Sequence, residues 1–378
     1  MIVFAADLHL TPHIWQDMSS LAGDAYNAFK QLVDYCVTNE ASALVLGGDI
    51  FDKPKPDSMS VATFIDGMTI LAQAQVPVFA IQGQHEQADP PWACLSEHVQ
   101  CIGDGQLVTI DDGGVAVTLR GFDNGPIETM QQATKKLDPV SDILVVHQLA
   151  KQLVPFEGAW NFDADWAPKG VKLSLGGDYH IRSNAGRMHY PGSTHMRNIS
   201  EIGDHFILTV TPEFKTVQKG RGKKKTEERE LTGFAVEPVK LKTRKVVQLC
   251  MSSPDARDQL LPVITPIKPV DGEAVDDTLP PLVYLLYDPQ VEDALSRVAA
   301  VCKEQGYFLR TRTLSGGTEV VEGVPQLGSV TLEECLAGVV DRNKEPDFFN
   351  FVLSLLTSDV RATLDALKMK FKLIEEKS

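Results

Sequence analysis

Across the first two hundred residues, short apolar runs alternate with stretches whose apolar residues recur every three or four positions. The runs IVFAA (2–6), ALVLG (43–47), VPVFAI (76–81), DILVVH (142–147) and VKLSLG (171–176) are apolar almost throughout, the pattern of strands buried on both faces. Between the first two, Tyr26, Phe29, Leu32, Val33, Cys36 and Val37 predict an amphipathic helix. Val61, Phe64, Ile65, Met68 and Leu71 predict another after the second run. Strands alternating with helices indicate an α/β layered fold. VAVTLRGF (115–122) and HFILTVTP (205–212) read as antiparallel additions, and TGFAVEPVKL (232–241) is expected to pair with the latter across a basic loop.

After about residue 245 the pattern changes. KVVQLCM and a proline-rich spacer precede residues 281–314, which read as strand, amphipathic helix and strand, a small α+β module. SGGTEVVEGVPQLGS is a loop, and roughly 331–376 are helical. There Val360, Leu364, Leu367, Phe371 and Ile374 form a narrow apolar seam, suited to docking on a partner's coiled coil or to packing on its own domain. The expected domains are 1–245 with a basic hairpin loop at 215–231, then 246–318, then helical 319–378.

Composition narrows the class. The chain has 378 residues, 43% hydrophobic and 23% charged, and its apolar runs fall far short of a membrane span. No basic leader or cleavage site opens the sequence. The six cysteines are scattered without a C-x-x-C pair, so reduced thiols and a cytoplasmic location are expected. The formal charge of −15 argues against a polyanionic substrate, yet it is unevenly spread. Residues 215–245 carry eleven Lys or Arg against four Glu, and KGRGKKK within them puts Lys219, Arg221, Lys223, Lys224 and Lys225 on one loop. Such a loop is either a solvated hairpin tip or a phosphate contact. The chain has no P-loop motif.

The chemistry collects where the strands end. In open α/β sheets functional groups lie just beyond the carboxyl ends of strands. Here the five predicted strands deliver Asp7 and His9, Asp49 and Asp52, Gln84 and His85, His147, and Asp178 and His180. Of nine histidines, four fall at these ends, too regular an arrangement for accident. Carboxylates and imidazoles without thiolates suit Mn²⁺, Fe²⁺, Mg²⁺ or Zn²⁺. So many ligands exceed the needs of one ion, and a carboxylate-bridged pair suits phosphoester hydrolysis.

In order, the motifs DLH, GDIFD, GQHE, His147 and GDYH resemble the D-x-H, G-D-x-x-D, G-N-H-[DE], H and G-H-x-H signature of the calcineurin-like metallophosphoesterases. DLHL, GDIFD and YPGST look closer still to the SbcD-type nuclease subunit, the bacterial and phage counterpart of the eukaryotic double-strand-break-repair nuclease. The resemblance is strong over residues 1–200, moderate over 232–318 and only topological beyond. It implies a four-layer α/β sandwich of two mixed β-sheets flanked by helices, then a small α+β DNA-capping domain and C-terminal helices.

By that resemblance Asp7, His9 and His180 hold a first ion, Asp49 bridges, and Gln84, His147 and Asp178 complete a second. His85 orients the phosphate and protonates the leaving alkoxide, and Asp52 supports the ligands. Both ions are expected to be Mn²⁺, with Mg²⁺, Fe²⁺ or Zn²⁺ as alternatives. The implied activity is 3′–5′ exonuclease and single-strand endonuclease on DNA, in end processing, repair or recombination. The implied partners are an SbcC-type SMC-like ATPase and a second copy of the chain. His13, His189, His195 and Arg197 are further candidates for DNA contact, and Trp15 either stacks on a base or packs.

Two positions depart from the signature, Gln84 for Asn and Asp178 for His, and both fall on the second ion. A phage origin, and so a host cytoplasm, fits these departures. The alternatives are a nucleotide or protein phosphoesterase of the same superfamily and a non-catalytic scaffold with a degenerate site.

Overall fold

A computed structural model describes residues 1–13, 15, 18–154, 160–219, 226–251, 267 and 274–313. The expected helical region 319–378, its seam from Val360 to Ile374, and Arg221, Lys223, Lys224 and Lys225 lie outside the described residues.

Two six-stranded mixed sheets form the α/β sandwich that the resemblance implied. The first contains β1 (Ile2–Ala5), β2 (Ala43–Gly47), β3 (Val78–Ile81), β4 (Val99–Cys101), β11 (His205–Lys219) and β12 (Thr226–Leu241), in the order β12-β11-β1-β2-β3-β4. The second contains β5 (Asp104–Asp111), β6 (Ala116–Phe122), β7 (Ile143–His147), β8 (Leu173–Gly177), β9 (Ser183–Ala185) and β10 (Met188–Tyr190), in the order β5-β6-β7-β8-β10-β9. β6 joins β5 antiparallel, as expected, but it also joins β7 in parallel, so it is an inner strand.

The apolar runs explain the layers. Successive strand side chains point to opposite faces, so a run apolar throughout supplies two cores. From β1, Ile2 and Phe4 pack between the sheets against Leu119, Val145 and Leu175. Val3 and Ala5 pack the other way, under α1 (Asp24–Thr38) and α2 (Ser58–Gln73), with Phe29, Leu32, Phe64 and Met68. The far face of the second sheet is covered by Met130 of α3 (Ile127–Lys135) and by Phe162. These are four layers: helices, sheet, sheet, helix.

β1, β2 and β3 run parallel, with Ile2 opposite Ala43 and Leu44 opposite Val78. β7 and β8 run parallel too, and their register pairs His147 with Gly177. In each sheet the carboxyl ends therefore lie side by side.

β11 and β12 pair antiparallel from His205↔Leu241 to Lys219↔Thr226. The expected hairpin loop at 215–231 is thus mostly strand. β13 (Val246–Met251), β14 (Leu282–Tyr287), α4 (Glu292–Glu304) and β15 (Phe308–Thr313) follow, with sheet order β13-β14-β15. The described residues within 1–247, 263–283 and 302–308 form one compact unit, and those within 248–262, 284–301 and 309–313 form another. Among the described residues no helix is long and apolar enough to cross a membrane.

One expectation fails among the cysteines. Cys36, Cys250 and Cys302 are free, but Cys94 and Cys101 are joined in a disulfide. The turn that leads into β4 brings their Cα atoms to 6.1 Å, within bridging reach.

Candidate metal centre

Three of the five strand ends turn sharply at their site residues. Asp7, His9, Asp49 and Asp178 all adopt positive φ, at 54°, 41°, 49° and 83°. For a residue with a Cβ this backbone costs on the order of 1–3 kcal/mol, and it persists only where the surroundings impose it. Here the tails beyond β1 and β2 impose it, because Asp7 N–H donates to Gly48 O at 3.1 Å and His9 N–H to Asp49 O at 2.8 Å.

The two Gly-Gly-Asp triplets serve the same histidine. A Cβ on Gly48 would lie 2.5 Å from His147 Nδ1, and one on Gly177 would lie 2.5 Å from Gly47 O and overlap the same imidazole. Without those side chains, His147 sits fully buried and donates its Nδ1–H to Gly47 O at 2.6 Å. That bond fixes the tautomer and leaves the Nε2 lone pair facing the acids.

Those acids are Asp7 and Asp49, both 0% exposed. Around Asp49 Oδ2 stand His147 Nε2 at 3.4 Å, His9 Nε2 at 3.6 Å and His85 Nε2 at 4.0 Å. Around Asp7 Oδ1 stand His180 Nε2 at 3.7 Å, His147 Nε2 at 3.8 Å and His9 Nε2 at 3.9 Å. Three overlapping groups result, each able to hold a metal ion: Asp7, His9 and His180; His9, Asp49 and His85; Asp7, Asp49 and His147. Asp49 Oδ2 and His147 Nε2 are buried with no hydrogen-bond partner. Buried polar atoms are rarely left so, because each costs free energy until satisfied. A cation between them satisfies both, and the donor set of carboxylate oxygens and imidazole nitrogens fits a divalent ion.

The proton affinities agree with this. Burial pushes the Asp7 carboxyl up to about 6 against the pull of the His147 and His180 charges. Burial pulls the His147 imidazole down, but Asp49 and Asp7 outweigh it and raise its pKa to about 10. Burial also opposes His180 ionisation, and Glu201 overcomes it, so that pKa rises. His9 moves well below its ordinary value, first through burial and then through the Arg197 charge. At neutral pH the cluster therefore holds protons where a metal ion would displace them.

The remaining expected residues divide. His85 donates N–H to Asp49 Oδ1 at 2.9 Å, its Nδ1 lies 3.2 Å from Asp52 O, and its side chain is 36% exposed. The Asp52 carboxylate is 3.6 Å from His9 Nδ1 and bonded to Arg197. Asp178 belongs to none of the three groups and instead engages Gln84, whose Nε2–H donates to Asp178 Oδ1 at 2.6 Å. Asp178 N–H in turn donates to both Asp7 oxygens at 3.1 Å. Asp178 thus bonds Asp7 through its backbone, while its carboxylate faces Gln84.

His13 forms a bridge with Ala22, and His189 is a half-buried residue of β10. His195 is buried, and with His205 it lines a separate cavity of about 80 Å³. The backbone of Lys219 closes β11. Trp15 is partly packed, and its Nε1–H donates to Arg197 O at 3.1 Å.

Sequence reasoning missed two carboxylates. Glu201 accepts from His180 Nδ1 at 2.8 Å, the orienting bond typical of a metal-binding histidine. Glu86 is buried and accepts the N–H groups of Phe51 at 2.6 Å and Gly83 at 3.3 Å, tying the second strand end to the third. Burial raises its pKa to about 7. The signal for Glu86 was its place directly after His85; Glu201 lies 21 residues from its histidine and had none.

The chain is similar to archaeal Mre11 proteins. It is 24% identical over 192 residues to the DNA double-strand break repair protein Mre11 of Sulfurisphaera tokodaii, covering 48% of this chain and 49% of that protein. Against the protein of the same name from Methanococcus maripaludis it is 22% identical over 227 residues, 54% and 59% of the two chains. With the Nanoarchaeum equitans protein of that name identity reaches 30% over 86 residues, 23% and 24% of the two. The chain thus spans between about a quarter and three fifths of the length of these relatives. No protein-family model matches it.

Proposed function

We propose that this chain is a divalent-metal-dependent DNA nuclease of the SbcD and Mre11 type, hydrolysing phosphodiester bonds. The observation that carries the reading is the convergence of two buried carboxylates with the Nε2 atoms of His9, His147 and His180 at aligned strand ends. The similarity to proteins named for DNA double-strand break repair supports DNA as the substrate class.

In this reading Asp7, His9 and His180 would hold one ion, His147 with Gln84 and Asp178 would hold a second, and Asp49 would serve both. Divalent ions held there supply the charge that activates water and stabilises the phosphoryl oxygens. The chain's own residues supply orientation and protons. Gly47 O and Glu201 fix the Nε2 lone pairs of His147 and His180. Asp52 O accepts from His85 Nδ1–H and so orients the ring, and the imidazolium form would donate its Nε2 proton to the leaving oxygen. Mn²⁺ suits this oxygen-rich donor set. The finer assignments, 3′–5′ exonuclease and single-strand endonuclease action, an SbcC-type ATPase docked on the C-terminal helices, and a homodimer, belong to the same proposal.

The Gln84–Asp178 bond favours a second reading, in which those two residues satisfy each other and the second site is degenerate. One experiment separates the readings: digestion of end-labelled duplex and single-stranded DNA, and of a small phosphodiester, with Mn²⁺, Mg²⁺ or EDTA. We expect metal-dependent shortening of DNA, reduced at least ~100-fold in His85→Ala. Hydrolysis of the small diester alone points to a phosphoesterase. No turnover of either substrate points to a scaffold.

A further inference from the structure

Arg197 is the one permanently charged cationic side chain that contacts the cluster among the described residues. Its Nη2 donates to Asp52 Oδ1, and its Nη1 lies 3.2 Å from His9 Nε2. The main chain beneath it is held at both polar groups, with Arg197 N–H donating to Glu201 Oε2 at 2.8 Å and Arg197 O accepting from Trp15 Nε1–H at 3.1 Å. Glu201 and Asp52 therefore each serve the centre twice. Glu201 orients His180 and fixes the Arg197 backbone; Asp52 holds His85 through its carbonyl and Arg197 through its carboxylate.

A surface ion pair would not need such a mount. The Arg197 side chain is 24% exposed, so it is open to solvent while its Nη1 and Nη2 are aimed at His9 and Asp52. His9 Nε2 carries one lone pair; were a divalent ion to take it, Nη1 would need another acceptor at the same place. A substrate phosphate there would be the natural one, because guanidinium matches the geometry of phosphate oxygens.

We propose that Arg197 is a phosphate-binding residue of the catalytic centre, donating to a non-bridging oxygen of the scissile phosphate beside His85. The assignment rests on the phosphodiesterase reading of this site. It gives Asp52 a definite role, that of presenting a proton donor and a fixed cation to the same phosphate.

The test uses the full chain as wild type, Arg197→Ala and Arg197→Lys, with kcat and KM measured separately at saturating Mn²⁺. Mn²⁺ affinity and inhibition by inorganic phosphate are followed in parallel. Losing a charge-assisted hydrogen bond predicts a kcat/KM about 10- to 100-fold lower in Arg197→Ala. We also expect phosphate inhibition weakened at least tenfold, Mn²⁺ affinity at least as high as wild type, partial recovery with millimolar guanidinium, and an intermediate Arg197→Lys. Unchanged phosphate inhibition, or a loss of activity that only tracks loss of Mn²⁺, overturns the proposal. If wild type cleaves no phosphodiester, the nuclease reading falls separately, and calorimetric titration of inorganic phosphate into the Mn²⁺-loaded proteins decides on Arg197. Weaker binding in Arg197→Ala supports the role, and equal binding refutes it.

Discussion

At the scale of one residue, His147 shows how the centre is built. It is fully buried between Gly48 and Gly177, fixed through Nδ1, and proton-loaded by Asp49 and Asp7. An imidazole whose folded pKa is raised contributes stability that is complete below its unfolded value near 6.5 and is lost as pH rises through the folded value, about 10. His180 is shifted the same way. In EDTA, thermal stability should therefore fall as pH rises from about 6.5 towards 10, by up to about 1.4 kcal/mol per pH unit for each proton. Divalent ions need the same histidines neutral, so the Mn²⁺-induced rise in Tm should grow over that window. Melting curves across pH with Mn²⁺ or EDTA check this, and a gain in Tm that shrinks as pH rises would contradict it. His147 was legible because it ends an apolar run. Its environment was not, because the two glycines that make room for it come from other strands.

Among the elements, α2 carries its own start signal. Asp57 accepts the N–H groups of Met59 and Ser60, each at 3.0 Å, satisfying donors that open any helix. Asp57→Ala should cost about 1 kcal/mol in urea unfolding and leave Mn²⁺ affinity unchanged, since α2 touches the site only through the core. A variant as stable as wild type would show that the cap contributes nothing. The five buried strands and both long helices were readable because their apolar periods are strong. β11 and β12 run further than their apolar stretches suggest. Their outer parts are polar, held by ladder bonds, by Lys215–Glu230 at 3.5 Å and by Arg229 over the Phe214 ring at 4.4 Å. β9 and β10, three residues each, and α3, with only Met130 and Thr134 buried, carry too little hydrophobic signal to be read.

For the whole molecule, the site is a product of topology. Two parallel strand sets, one in each sheet, place five strand ends together, and this is why Asp7, His9, Asp49, His85, His147 and His180 could be named from spacing alone. What spacing could not give is the support that arrives from elsewhere in the chain: Glu201 on His180, Arg197 on His9 and Asp52, Glu86 between two loops. It also could not show that Gln84 and Asp178 bond each other, which bears directly on whether one ion or two bind. Equilibrium Mn²⁺ binding followed by electron paramagnetic resonance tests the paired centre most directly, on wild type and Asp49→Asn. A paired centre predicts two ions per wild-type chain with magnetic coupling between them, and loss of both the coupling and at least one ion in Asp49→Asn. A single uncoupled ion in wild type, or an Asp49→Asn chain that binds two as before, would contradict it.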